Sequence, residues 1–217
     1  MSRKIVDGTL NAENVPGMRP PPYQVEEGVK QIPVNGLGNI RVSWDTFVII
    51  GSGKTGLDAI CYLLDMNVLP DQITWIVTND CWHLNRKVYN MKNLWAGLEE
   101  QFLSILESEN INDAFLKYEE KGIMLRIDKN HWPTKIRAAT INEEQLQQLR
   151  SVKNVIRQGR VQALYKDAIE FENGFKIQIE AGNPIFVDCT SKPGPKTRSK
   201  LSPVFQDSKI NLQLIAV

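Results

Sequence analysis

The chain has no apolar run approaching the roughly 20 residues of a membrane-crossing helix, and its opening stretch, MSRKIVDGTLNAENVPG, lacks the apolar core of a signal peptide. The expectation is a cytoplasmic protein with no membrane partner. Cysteine is scarce: Cys61, Cys81 and Cys189 are an odd number without C-x-x-C spacing, which suits reduced thiols better than a disulfide framework. Histidine is scarcer, with two residues. Cys81 and His83 lie close together, but no second ligand cluster accompanies them, so they read as packing or surface residues and no metal is expected. An excess of either charge is also missing. Lys and Arg number 26 against 25 Asp and Glu, a net +1 that gives no reason to expect a nucleic acid and points instead to a small ligand or a protein. Internal repeats and low-complexity tracts are absent.

What remains is a 217-residue chain, 42% apolar, long enough for one large domain or two small ones around a real core. Residues 10 to 40 hold most of the early proline and glycine, and Pro20, Pro21 and Pro22 exclude a helix and a central strand there. Residues 1–45 are therefore read as a connector. A structureless arm of that length suits a chain that packs on a missing neighbour.

Thr46 to Ile50 is a short, apolar, β-prone run ending at glycine, as a strand buried on both faces of a parallel sheet would. Lys54 to Met66 places Leu57, Ile60, Cys61 and Leu64 on one helical face, and ITWIV, Ile73 to Val77, reads as a second buried strand. Thr46 to Thr78 thus forms one βαβ unit. Packing helices are expected over Asn93 to Glu107 and Asp113 to Glu120, and a third strand over Gly122 to Ile127. A helix from Glu143 to Val152 is expected to be capped by the Thr140/Glu143 pair. From Asn154 to Glu180 the period becomes two, with turns at Gln158-Gly159, Lys166-Asp167 and Asn173-Gly174, which reads as an antiparallel meander. PIFVDCT, Pro184 to Thr190, is a further strand, and SKPGPKTRSK after it is a basic loop. The fold expected is α/β: a Rossmann-like parallel sheet with flanking helices over residues 46–153, followed by an antiparallel β-meander and return strand over 154–217.

The stretch Gly51-Ser52-Gly53-Lys54-Thr55-Gly56 carries two overlapping phosphate-loop patterns. A triphosphatase loop, G-x-x-x-x-G-K-[ST], needs a glycine five residues before Gly53, and Val48 stands there, inside the strand. The dinucleotide pattern G-x-G-x-x-G fits in register. Gly51 turns the chain out of the strand, Gly53 lets the backbone approach a pyrophosphate, and Gly56 lets the helix pack close to the strand. The helix start near Lys54 and Thr55 adds free N–H groups and partial positive charge, with Ser52 in the same turn. Asp80, 24 residues past Gly56, is placed to accept hydrogen bonds from an adenosine ribose, which favours NAD; Arg86 is the alternative, suited to a 2′-phosphate; both are equally readable as surface charges.

The run GSGKTGLDAICYLLDMNVLPDQITWIVTNDCWHLNR resembles the second, nicotinamide-binding motif of two-motif flavin oxidoreductases related to flavin-containing monooxygenases. The flanks VDGTLNAENVPGMRPPPYQV, LRSVKNVIRQGRV and FVDCTSKPG occur in similar order in one branch of that family, so the likeness covers most of the chain. The resemblance implies that Gly51, Gly53 and Gly56 contact a pyrophosphate of NAD or NADP, and that the strand ending at Thr190 takes the place of the one returning to the flavin domain. The family usually has Pro-Arg after the second strand, where Thr78-Asn79 stand here, so the choice between NAD and NADP stays open. Family members also carry their own FAD fingerprint, and no second G-x-G-x-x-G is found here. The expectation is the NAD(P)-binding portion of an FAD-dependent, monooxygenase-like oxidoreductase, a fragment or module completed by a flavin-binding domain or chain. Alternatives are a non-catalytic dinucleotide-binding module and a stand-alone NAD-dependent dehydrogenase. No catalytic residue is assigned: Tyr62 and Lys54 lack Tyr-x-x-x-Lys spacing, and His83 and His131 read as structural or exposed.

Overall fold

Four of the five residues in the run Thr46–Ile50 are buried, and its side chains feed two separate cores: Phe47 and Ile49 pack with one, Val48 and Ile50 with the other. That division follows from the period of two in a strand, and it requires a layer on each face of the sheet. The computed structural model describes residues 4–7, 16–42, 44–179, 182–190 and 203–211.

In chain order the strands are β1 (Ile5–Asp7), β2 (Gln24–Val25), β3 (Gln31–Pro33), β4 (Thr46–Ile50), β5 (Ile73–Ile76), β6 (Cys81–Asn85) and β7 (Met124–Arg126). They continue with β8 (Lys135–Ile141), β9 (Asn154–Ile156), β10 (Val161–Leu164), β11 (Ala168–Phe171), β12 (Lys176–Gln178), β13 (Pro184–Asp188) and β14 (Lys209–Asn211). The helices are α1 (Lys54–Asp65), α2 (Leu94–Leu106), α3 (Ile111–Glu120) and α4 (Glu143–Ser151). The fold is mixed α/β, and it divides into two units, Pro21–Thr190 and Met1–Pro20 with Ser191–Val217. In the smaller unit β1 pairs parallel with β14, and Lys209 bonds Asp7 at 2.5 Å.

The larger unit is built on a five-stranded, all-parallel sheet in the order β3-β13-β4-β5-β9. Helices α1 and α4 cover one face, where Leu57, Ile60 and Leu63 meet Leu146 and Leu149 over Trp75 and Val187. A second sheet, β12-β11-β10-β2, covers the other, with Leu164, Ile169 and Phe171 against Val48, Ile76 and Phe186. A three-stranded sheet, β7-β6-β8, with α2 and α3 makes a smaller core around Trp82, Tyr118, Ile123 and Met124. None of the described helices is long and apolar enough to cross a membrane.

The βαβ unit is found as expected, and β10 to β12 form the antiparallel meander. Four expectations need correction. Asn154–Ile156 belongs to the parallel sheet, beside β5, because its Val155 and Ile156 extend that sheet's buried surface. The connector contributes β2 and β3, each at the end of a sheet, where Pro33 loses no internal ladder bond. Its residues 1–3, 8–15 and 43, like the basic loop 191–200, lie outside the described residues. The third strand forms within its expected range, as β7 in the small sheet. The α4 capping box is made by Asn142 and Gln145, since Thr140 sits inside β8 with extended backbone. Finally, α2 is no simple packing helix: Gly97 and Ser104 are its buried residues, while Trp95, Phe102 and Leu106 are exposed. Residues 46–153 and 154–190, divided at 153 in the sequence reading, lie within one unit.

Candidate functional site

Gly51 leaves β4 with φ of +124°, a conformation that disfavours any side chain, and a Cβ there would meet the Cys189 carbonyl oxygen at 3.0 Å. Gly56, one turn into α1, lies so close to the loop that a Cβ would approach the Gly51 carbonyl oxygen to 2.2 Å. Gly53 differs from both: a Cβ there would have no atom within 4 Å. Two glycines are therefore demanded by packing and the middle one faces open space.

Gly53 is the N-cap of α1, and no side chain caps it. The first bond back to its carbonyl comes from the Gly56 N–H at 2.9 Å, so the Lys54 and Thr55 N–H groups precede the helical ladder at the positive end of the helix dipole. Ser52 Oγ donates to the Asn79 carbonyl at 3.0 Å and ties the loop to the exit of β5. The Lys54 ammonium is paired with Asp58 along the helix. Burial pushes the neighbouring Cys189 thiol up to about 12, with the Asp188 charge adding to it, so this cysteine stays protonated and is a packing residue.

Asp80 follows β5 and is held by Arg157, which follows β9: Arg157 Nε lies 3.0 Å from Asp80 Oδ2 and Nη2 lies 3.2 Å from Oδ1. The same Nη2 reaches Asp128 Oδ2 at 2.9 Å, beyond the end of β7. Burial opposes ionisation of Asp128, but the Asn130 N–H, His131 and Arg157 outweigh it and hold its carboxyl below the usual range. Arg150 on α4 fixes this wall by donating to the Arg126 and Ile127 carbonyls at 2.8 and 2.9 Å. A small crevice results, lined among others by Ser52, Asp80, His83, Arg126, Asp128 and Arg157. His83 is 1% exposed and its Nδ1 has no hydrogen-bond partner. Burial, with Arg137 nearby, lowers it to about 4, so it is neutral at pH 7.

The structure thus brings together Gly51, Ser52, Gly53, Lys54, Thr55 and Gly56 at the head of α1, with Asp80 in the crevice that Ser52 also lines. Arg86 is elsewhere, past the far end of β6, where its guanidinium donates to the Thr140 carbonyl at 3.2 Å. Among the described residues no group of three or more His, Cys, Asp or Glu side chains is arranged to hold a metal. Sequence reasoning missed Arg157 and Asp128, because each follows a three-residue strand and no local pattern pairs them with Asp80. The apolar context of β6, CWHLN, was the available signal that His83 is buried.

No family model matches the chain. Over 220 aligned residues, 99% of its length, it is 32% identical to an uncharacterised protein of Mycobacterium bovis and to uncharacterised proteins of two Mycobacterium tuberculosis strains. The chain spans 40% of the length of these relatives.

Proposed function

We propose that this chain is the NAD(P)-binding part of an FAD-dependent, monooxygenase-like oxidoreductase, built on a Rossmann-like parallel sheet and acting in the cytoplasm. The observation that carries this reading is the division of labour among the three glycines: Gly51 and Gly56 have no room for a side chain, whereas Gly53 borders empty space beside an uncapped helix N-terminus. A tight turn with no ligand explains the first two glycines and leaves the third only glycine's ordinary preference for an N-cap; a pyrophosphate lying against Gly53 and the Lys54 and Thr55 N–H groups explains all three together with the open space.

The residues fit a dinucleotide. Gly51 to Gly56 would hold the pyrophosphate, and the crevice at Asp80 lies at the carboxyl ends of β5 and β9, where open parallel sheets bind ligands. The nicotinamide supplies a hydride. This chain's residues orient and retain the dinucleotide and stay out of the chemistry. FAD has no comparable cradle among the described residues, so a flavin would have to come with another domain or chain, and relatives much longer than this chain leave room for one.

Calorimetric titration of the purified chain with NADH and NADPH tests the reading, with the absorbance spectrum recorded beforehand. Saturable binding of a nicotinamide dinucleotide by a colourless protein is the expected result. A yellow protein with stoichiometric FAD would place the flavin on Gly51 to Gly56 and overturn the assignment. The absence of binding to a folded chain would overturn it as well.

A further inference from the structure

Helix α2 turns its bulky side outward. At about 100° per residue, Leu94, Trp95, Leu98, Phe102, Ile105 and Leu106 fall within an arc of about 120°, while Gly97 and Ser104 lie on the other side and are the helix's buried residues. Those small residues fix the seat: a Cβ at Gly97 would meet Val88 Cγ1 at 2.2 Å, and Ser104 Oγ donates to the Glu100 carbonyl at 2.7 Å within the helix. The helix cannot roll to bury its apolar arc without driving large side chains into that seat. Trp95 and Leu106 are each 81% exposed, and Phe102 is 65% exposed. We propose that a second copy of this chain covers this face, the two α2 helices lying antiparallel across a two-fold axis. The inference does not rest on the dinucleotide reading.

With an aromatic side chain offering about 150–250 Å², the exposed parts of the arc present on the order of 600 Å² of apolar surface. That is the upper end of the largest patch on a typical monomer, roughly 300–600 Å², and it supplies the apolar share, about 65%, of the roughly 800 Å² that each partner buries in a standard homodimer interface. An isologous contact needs residue i to meet residue j and j to meet i. Antiparallel helices centred near Glu100 satisfy this with unlike shapes: Trp95 of each copy meets Ile105 and Leu106 of the other, and Leu98 meets Phe102. Lys92 precedes α2 and Glu109 follows it, so the same arrangement sets each beside the other's opposite charge and brings opposite ends of the helix dipoles together. Glu99 falls outside the arc, at its rim. A lipid surface is a poorer match, because α2 contains no Lys or Arg and the polar side of membrane-surface helices is rich in both.

Sedimentation velocity of the full chain from about 1 to about 100 µM tests this. A reversible dimer within that range is expected. Trp95→Glu and Leu106→Lys, each shown by circular dichroism to be folded, should each weaken it by roughly tenfold or more. Phe175→Asp, a control at the exposed turn between β11 and β12, should leave it unchanged. An equimolar mixture of Trp95→Glu and Leu106→Lys should recover dimer, because antiparallel helices set the introduced carboxylate against the introduced ammonium at one end and keep the native contact at the other, which parallel helices do not. If either variant misfolds, Phe102→Asp decides by the same loss. A chain that stays monomeric at about 100 µM overturns the proposal and leaves the face to another occupant, such as the additional length of the mycobacterial relatives. A dimer unaffected by the folded variants, or weakened as much by Phe175→Asp, overturns it too, and failure of the mixture to recover dimer overturns the antiparallel pairing.

Discussion

Trp75 and Gly51 are joined by a buried hydrogen bond in which the indole Nε1–H donates to the glycine carbonyl at 3.0 Å. The same carbonyl oxygen is the atom that a side chain on Gly56 would strike. One acceptor therefore fixes β5, the loop leaving β4 and the first turns of α1 against each other. The loop's shape is set by packing, so the anion proposed to bind there would require little further ordering.

Gly53→Ala separates the packing role from the binding role. Its methyl group enters open space, so stability should stay within about 0.5 kcal/mol of wild type, as at surface sites free of special contacts. If the proposed pyrophosphate lies against the backbone there, dinucleotide affinity should fall by roughly tenfold or more. Calorimetry for binding and thermal melting for stability decide it. Unchanged affinity, or equal losses in both, counts against a ligand-contacting loop.

Gly56→Ala should do the reverse. The 2.2 Å approach to backbone cannot be relieved by rotating a side chain, and overpacking of this kind costs about 1–3 kcal/mol, more than the helix-propensity gain of alanine over glycine. A lowered denaturant midpoint at unchanged slope is the expected outcome. A variant as stable as wild type would show that α1 does not sit this close to Gly51.

His83 makes stability pH-dependent. Its folded value of about 4 lies below the ordinary 6.5, so the unfolded chain binds the extra proton first and stability falls as pH drops from about 6.5 toward about 4. The loss is on the order of 3 kcal/mol at most for such a shift. His83→Gln should flatten this part of the profile, whatever it does to absolute stability. In proton NMR the His83 ring resonances of wild type should titrate well below those of an ordinary histidine, and a midpoint near 6.5 would show the ring to be hydrated.

Asn142→Ala and Thr140→Ala discriminate between two cappings of α4. Asn142 Oδ1 accepts the Gln145 N–H at 2.8 Å, and loss of such a cap costs about 1 kcal/mol. Thr140→Ala removes no cap and should cost less. Denaturation midpoints in the opposite order would restore the Thr140 assignment.

The βαβ core was legible because its signals are local: TFVII ends at a glycine, α1 has one apolar face, and ITWIV is apolar throughout. The glycine spacing gave the loop for the same reason. Partnership between distant strands was not legible. Asn154–Ile156 has three residues and no alternation long enough to show which sheet it joins, and the meander that follows drew it into the wrong one. Arg157 acquires its meaning from Asp80 and Asp128, 77 and 29 residues away, so nothing nearby marks it. In α2 the periodicity suggested burial, yet Trp95, at 81% exposed, faces outward, because apolar spacing identifies a face without identifying what covers it.

The position of β13 also bears on how the protein is made. Pro184–Asp188 lies between β3 and β4, although its residues follow both by more than 130 positions. A ribosome that has delivered β4, α1, β5 and β9 has still not supplied β4's other neighbour, so the nascent chain carries an open apolar sheet edge that invites pairing with other chains. The Cys189 carbonyl that backs Gly51 emerges later still. The glycine loop, encoded early, is therefore among the last features to mature, and truncations or nonsense alleles ending before residue 184 should yield aggregating chains rather than a smaller working domain.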